Sequence, residues 1–432
     1  MQQSDEGLKK VIGVRSLTAS TINLTVGAGI FGLPAIVAGY LGTASYMAYA
    51  VCTLLLMLVL LCFISLGTRF PTSGGAYVFV EQAFGPYVGF LVNSLFWFGF
   101  AVIADAAVAN LLADNLSVFF PSLLNPVYRV PVIAMIFIFI TWMNVVGVKQ
   151  GVRLVEIVTI AKLLPLVILI ISGCFVINMD NYAWNVAPSV QSVGEVSLIL
   201  FFAFGGGAET TLSASGEIKD PVRTIPRGLL LGAFFVFVLY LVIHLVAQGV
   251  LGADLALYKE APLVKVAEQA LGKIGATLLV AGAAVSCFGL LSGDILATPR
   301  TLFAAARDGL LPKTLSRIHP RYDTPYVAIW LYAAMGFVFS IFSGFKQLAI
   351  LSSASLLLIY TGVILATFKL RNTRSSGAYF VIPGGMILPL LALLATGWFL
   401  SNLTIKEIIA VSIFLGFFSL VYVGMKVLKS KS

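Results

Sequence analysis

Apolar stretches of about 20 residues, the length needed to cross roughly 30 Å of hydrocarbon as a helix, recur along the whole chain between short connections that hold most of its charge. They centre on residues 16–40, 43–67, 88–120, 130–148, 154–177, 192–215, 227–251, 274–304, 326–343, 347–368, 378–400 and 405–426. The expected fold class is therefore an all-α polytopic membrane protein with twelve transmembrane helices. Composition agrees, because 59% of the 432 residues are hydrophobic and 10% charged, too few charges to clothe an aqueous domain of this length. Two connections are more than linkers. Phe70 to Gly85 is a semi-polar stretch that suits a re-entrant segment, and Leu257 to Leu271 has the pattern of an amphipathic helix on the outer side.

An even number of crossings puts both termini on one side. With the N-terminus inside, 20 of the 27 Lys and Arg residues fall in inner segments, 6 in outer ones and 1, Lys162, inside a helix. By the positive-inside rule both termini are then cytoplasmic, in the cell membrane or, in a Gram-negative organism, the inner membrane. The first run opens near Ile12 without the short apolar core and small-residue cleavage site of a secretory signal. Residues 1–11 and 428–432 are left as cytosolic tails. The net charge of +9 is spread over many helix ends rather than gathered in one stripe, which points to the lipid bilayer and away from nucleic acid. Cys52, Cys62, Cys174 and Cys287 lie in apolar runs without paired spacing, and His244 and His319 have no metal-binding spacing; no disulfide, metal or cofactor is expected. No intramembrane Ser/His or paired-Asp arrangement suits catalysis, so the chain is not read as an enzyme.

Two runs are interrupted by glycine. The first contains Gly27-Ala28-Gly29-Ile30-Phe31-Gly32-Leu33-Pro34, and the sixth contains Phe202-Ala203-Phe204-Gly205-Gly206-Gly207-Ala208-Glu209. Each glycine weakens a helix interior by about 1 kcal/mol. An unwound segment at membrane depth is tolerated where it lines a cavity or meets a ligand, although small residues also serve close helix packing. Two breaks 178 residues apart, from Gly27 to Gly205, in corresponding places of two five-helix halves, mark a transport site. N–H groups opening the second half of the first run suit a carboxylate. Carbonyls closing the first halves of both runs suit an ammonium, so the pair describes a zwitterionic α-amino acid.

With these motifs the chain resembles the amino acid, polyamine and organocation transporter superfamily. Further motifs carry the likeness: Phe70-Pro71 with Gly74-Gly75-Ala76-Tyr77, Gly216-Glu217-Ile218-Lys219-Asp220-Pro221 through Thr224-Ile225-Pro226-Arg227-Gly228, and Pro299-Arg300 with Ala306-Arg307-Asp308-Gly309-Leu310-Leu311-Pro312. The resemblance implies two inverted five-helix repeats, about 12–178 and 190–370, forming a transport core over 12–370, with accessory helices over 376–427. It implies carboxylate binding at Gly27, Ala28 and Gly29, amine binding at carbonyls in both breaks, and Phe202 or Phe204 closing over the substrate from outside. The row Gly205-Gly206-Gly207-Ala208 departs from relatives with larger side chains around a single glycine, and leaves the choice of gate open.

Ionisable residues inside a membrane are costly and mark function. By resemblance Lys162 takes the place of a lysine whose ammonium stands in for sodium between spans one, five and eight; its reversible protonation would couple proton movement to transport, and a permanently charged structural lysine is the alternative. Asp105 of span three and Asp294 of span eight lie away from helix ends. By family spacing Asp294 aligns with positions that face the bound side chain, which would favour a basic side chain or a second amine; for Asp294 and Asp105 alike a satisfied internal hydrogen bond is the alternative. Glu209 is expected to orient the unwound backbone. The expected function is sodium-independent secondary active transport of amino acids, by proton-coupled symport or exchange; the alternative is a polyamine or cationic amino acid antiporter.

Overall fold

Three non-helical residues divide the first apolar run into α1 (Val14–Thr25) and α2 (Gly29–Leu41), and α3 (Tyr46–Arg69) fills the second. A short helix α4 (Ala76–Phe84) follows in the semi-polar stretch, bounded by Gly75 and Gly85 at φ 55° and 86°. The third run is α5 (Pro86–Ser94), a π-helical segment Leu95–Val102 and α6 (Ile103–Ser117). Next come α7 (Pro126–Val146), α8 (Val152–Cys174), the split pair α9 (Val190–Phe204) and α10 (Gly207–Leu212), and α11 (Pro221–Leu251). The helix α12 (Pro262–Ala297) opens with the amphipathic stretch, turns at Gly272, φ 66°, and continues as the eighth run into α13 (Pro299–Arg307). The last four are α14 (Tyr326–Phe342), α15 (Phe345–Leu370), α16 (Ile387–Ser401) and α17 (Ile405–Lys431).

The structure, a computed structural model, describes residues 10, 12–72, 74–146, 152–183, 187–212, 215–307, 311–322, 324–371 and 378–431, with backbone alone for 152–159 and 428–431. Most of the expected N-terminal tail, the side chains of the C-terminal tail, and Asp308, Gly309 and Leu310 of the motif after the eighth run lie outside the described residues. Among those described there is no strand, only an isolated parallel bridge between Ile12 and Ile218. Eight helical segments are long and apolar enough to cross a membrane, and Ile160–Cys174, Tyr326–Phe342 and Ile387–Ser401 are shorter apolar helices. The chain is a multi-pass membrane protein. Its surface fits that solvent: Phe175, Ile274 and Leu420 are 85%, 81% and 74% exposed, a display suited to lipid and aggregation-prone in water.

Small residues set the central packing. Ideal Cβ atoms on Gly228 and Gly232 of α11 would lie 2.6 Å from Leu17 and 2.7 Å from Thr21 of α1, so this small-xxx-small face lets the two helices approach closely. At one end of the bundle Arg129 of α7 pairs with Asp114 at 2.6 Å and donates to the Asn110 carbonyl and Oδ1, both at 2.9 Å. Asn110 in turn donates to Ser340 and Ser343 carbonyls, tying α6, α7 and α14. The periphery is α17, largely exposed along its length; it holds on through Phe414 and Phe418, stacked and tilted against Phe98.

Candidate functional site

The two interruptions lie against each other. α1 ends at Thr25 and α2 starts at Gly29, leaving Val26, Gly27 and Ala28 outside both. α9 ends at Phe204 and α10 starts at Gly207. Gly206 has φ 89°, a left-handed conformation that costs any other L-residue about 1–2 kcal/mol, and the Phe100 ring lies 2.7 Å from where its Cβ would be. A Cβ on Gly29 would come within 2.8 Å of the Ala203 side chain, and one on Gly207 would collide with Thr25 Oγ1. The glycines thus serve both purposes open in the sequence, unwinding and close approach.

Tyr240 of α11 spans the junction. Its hydroxyl lies 2.9 Å from the Thr25 carbonyl and 3.3 Å from the Ala203 carbonyl, one from each interrupted run, and it faces the Gly27 N–H. Lys162, 4% exposed, donates its ammonium to the Asn23 carbonyl at 2.6 Å and the Val26 carbonyl at 2.7 Å. Both belong to the carbonyl end of α1, where the helix dipole favours a cation. Leu290 of α12 reaches within 3.3 Å of the Gly27 Cβ position, and Pro165 of α8 packs on Gly282 of α12. Span eight therefore packs on both the first break and span five, the helix that carries Lys162. The three ion pairs among the described residues do not include it.

Glu209 is 3% exposed. Its carboxyl faces the Tyr360 hydroxyl and the Gly206 N–H, beside the unwound turn, without close hydrogen-bond geometry. Asp105 and Asp294 meet each other. Asp105 is fully buried, accepts a 2.9 Å hydrogen bond from the Tyr332 hydroxyl, and faces Asp294, which sits one helical turn beyond Leu290. The two carboxyls form a pair because α6 and α12 pack together. The phenylalanines also part company. Phe204, 2% exposed, is wedged between Tyr240 and Tyr49, with centroids 5.1 and 6.3 Å away. Phe202, 9% exposed, has one aromatic neighbour among the described residues, Phe345, in an edge-to-face pair at 5.7 Å.

Sequence reasoning missed Tyr240, Tyr360, Tyr332 and Phe100. Only Tyr240 leaves a legible sign, as the first of three polar residues at four-residue steps in an apolar helix, Tyr240, His244 and Gln248. Phe100 reaches Gly206 from the π-helical segment of the third run, a geometry frequent at functional sites.

Comparison with known proteins follows the same outline. The amino acid permease family model matches residues 12–429. The serine/threonine exchanger SteT of Bacillus subtilis (strain 168) is 28% identical over 99% of both chains. The branched-chain amino acid permease BcaP of the same organism is 24% identical over 92% of this chain and 89% of its own. The large neutral amino acids transporter small subunit 2 of Homo sapiens is 31% identical over 74% of this chain and 62% of its own.

Proposed function

Because the chain belongs to the amino acid permease family, we propose that it transports amino acids by alternating access, binding them where its two interrupted helices meet. The observation that carries this reading is the junction itself: Gly29 against Ala203, Gly207 against Thr25, and the Tyr240 hydroxyl across both runs. Backbone N–H groups of Gly27, Ala28 and Gly29, at the positive end of α2, receive the carboxylate. Tyr240 and Lys162 already engage the Thr25 and Val26 carbonyls. The substrate ammonium therefore falls to the remaining carbonyls at the end of α9, those of Phe202, Phe204 and Gly205, with Gly206 and Gly207 letting the Phe100 ring and Thr25 close on the turn and Glu209 steadying it.

The transport is sodium-independent, because the Lys162 ammonium holds carbonyls that a sodium ion would need. Its coupling is proton symport or exchange. The substrate side chain is neutral: the relatives above are named for serine and threonine, branched-chain and large neutral amino acids. Phe202 is the outer gate, since among the described residues it has one aromatic neighbour to leave while Phe204 is wedged between two. The chain crosses the cell membrane twelve times with both termini in the cytoplasm, as two inverted repeats over 12–178 and 190–370 and accessory helices over 376–427. The Ile12–Ile218 bridge then closes the inner side and opens on substrate release.

Purified protein in liposomes preloaded with unlabelled amino acid tests the reading by uptake of labelled serine, threonine and leucine. Saturable uptake that persists when choline replaces sodium is expected; an imposed pH gradient separates symport from exchange. No saturable flux of any proteinogenic amino acid, with or without internal substrate or a pH gradient, would sink it, and flux that requires sodium would overturn the role given to Lys162.

A further inference from the structure

Tyr240, His244 and Gln248 follow one another at four-residue steps on α11, close to one helical turn, and so share a face. In an otherwise apolar helix that face is turned inward, with the three residues 0%, 1% and 3% exposed. The Tyr240 hydroxyl is matched to the carbonyls at the junction. Its neighbours are not matched: among the described residues neither ring nitrogen of His244, nor Gln248 Oε1, nor the hydroxyls of Tyr49 on α3 and Ser197 on α9 meet a hydrogen-bond partner.

These atoms form one neighbourhood. The Tyr49 ring lies 4.9 Å from the His244 ring, and its hydroxyl is within electrostatic reach of Tyr240 and Cys52. Cys52, one turn along α3, donates its thiol to the Ser197 carbonyl at 3.1 Å. At the far end of the row, Gln248 lines a cavity of about 320 Å³ with Tyr40, Leu41, Thr43 and Pro188.

Buried polar groups are nearly always hydrogen-bonded, and leaving several unmatched in one place is costly. The chemistry of this set selects the guest. A neutral imidazole offers one donor and one acceptor, each hydroxyl offers both, and the amide oxygen accepts; among the described residues no charged side chain bears on His244. An ion finds no counter-charge here, whereas water both donates and accepts and takes about three hydrogen bonds in such sites. We propose that the row holds a file of ordered water running from the Gln248 cavity, past His244, Tyr49 and Ser197, to the Tyr240 hydroxyl at the break. The file hydrates the junction from that side, so the unwound backbone keeps polar partners when substrate leaves.

X-ray radiolysis footprinting with mass spectrometry tests this on the full chain in lipid nanodiscs, with no substrate added, so the outcome is independent of what is transported. Bound water activated in place oxidises the side chains beside it. His244 and Tyr49 are expected to be oxidised several-fold faster than Phe399, which is equally buried and ringed by Phe201 and Trp398. Gln248→Leu is expected to slow labelling of both while Phe399 is unchanged, and His244→Phe, which fills and dries the middle of the row, to slow labelling of Tyr49. Should either variant fail to fold, the comparison within the unaltered protein still decides. Labelling of His244 and Tyr49 no faster than Phe399 would overturn the proposal, and fast labelling indifferent to both substitutions would overturn the continuous file.

Discussion

Replacing Lys162 by Met keeps an unbranched side chain one atom shorter and removes its three N–H donors. In the structure the ammonium makes hydrogen bonds of 2.6 and 2.7 Å to the Asn23 and Val26 carbonyls. Hydrogen bonds to a charged group contribute about 1.5–3 kcal/mol each, so the gross loss is roughly 3–6 kcal/mol by the same rule. Against it stands the desolvation cost of an ammonium that is 4% exposed, an effective penalty of several kcal/mol that disappears with the charge. The two nearly cancel for folding, so the thermal midpoint should move by only a few degrees. They do not cancel at the break, where Val26 immediately precedes Gly27 and its carbonyl loses the partner that fixes it. Substrate affinity should fall at least about tenfold, equivalent to about 1.4 kcal/mol. Lys162→Arg should fail comparably, since a planar fork does not reproduce a point donor to two carbonyls. The assay is equilibrium binding and initial uptake in proteoliposomes beside a thermal unfolding curve. Wild-type affinity and uptake in Lys162→Met would refute the assignment, and collapse of the fold with unaltered affinity in the surviving protein would reduce the lysine to a structural role.

Other substitutions probe the junction separately. Tyr240→Phe removes one hydroxyl and leaves the Thr25 carbonyl without it, costing about 1–3 kcal/mol; unfolding curves should shift down and affinity should weaken, and no change in either would remove Tyr240 from the site. Gly206→Ala meets both the φ of 89° and the Phe100 ring and should destabilise by at least about 1–2 kcal/mol, read as lost thermal stability and lost uptake together. Phe204→Ala opens the wedge between Tyr49 and Tyr240 and should cost about 3–5 kcal/mol of stability. Phe202→Ala should instead keep the fold and raise the KM for uptake; equal behaviour of the two in both assays would contradict the choice of gate.

Much of this was legible in the sequence, for reasons that differ by residue. Gly27, Gly29 and Gly205 to Gly207 stand out because consecutive glycines inside an apolar run oppose its helical preference. Lys162 stands out because a charge there needs a reason, and it indeed reaches the carbonyls beside Gly27. Contacts between distant segments were not legible. Asp105 and Asp294 each look like a lone carboxylate until α6 and α12 are packed, and only then become partners for each other. Phe202 and Phe204 are two residues apart, about 200° around a helix, so their faces depend on a rotation that local sequence does not specify. Tyr240 and Tyr360 were hidden because a tyrosine in an apolar run reads as packing until its hydroxyl is seen beside a break.

The central claim is that the junction recognises both ends of an α-amino acid, the carboxylate at Gly27 to Gly29 and the ammonium at the carbonyl end of α9. Competition binding with three forms of one substrate side chain measures this directly: the amino acid, its decarboxylated amine, and the hydroxy acid that lacks the amine. A site built to hydrogen-bond both groups rejects an analogue that leaves its buried polar atoms unpaired, by a factor on the order of a hundred or more. The amino acid should compete and both analogues should fail by that margin. An amine or a hydroxy acid that competes as well as the amino acid would contradict the account.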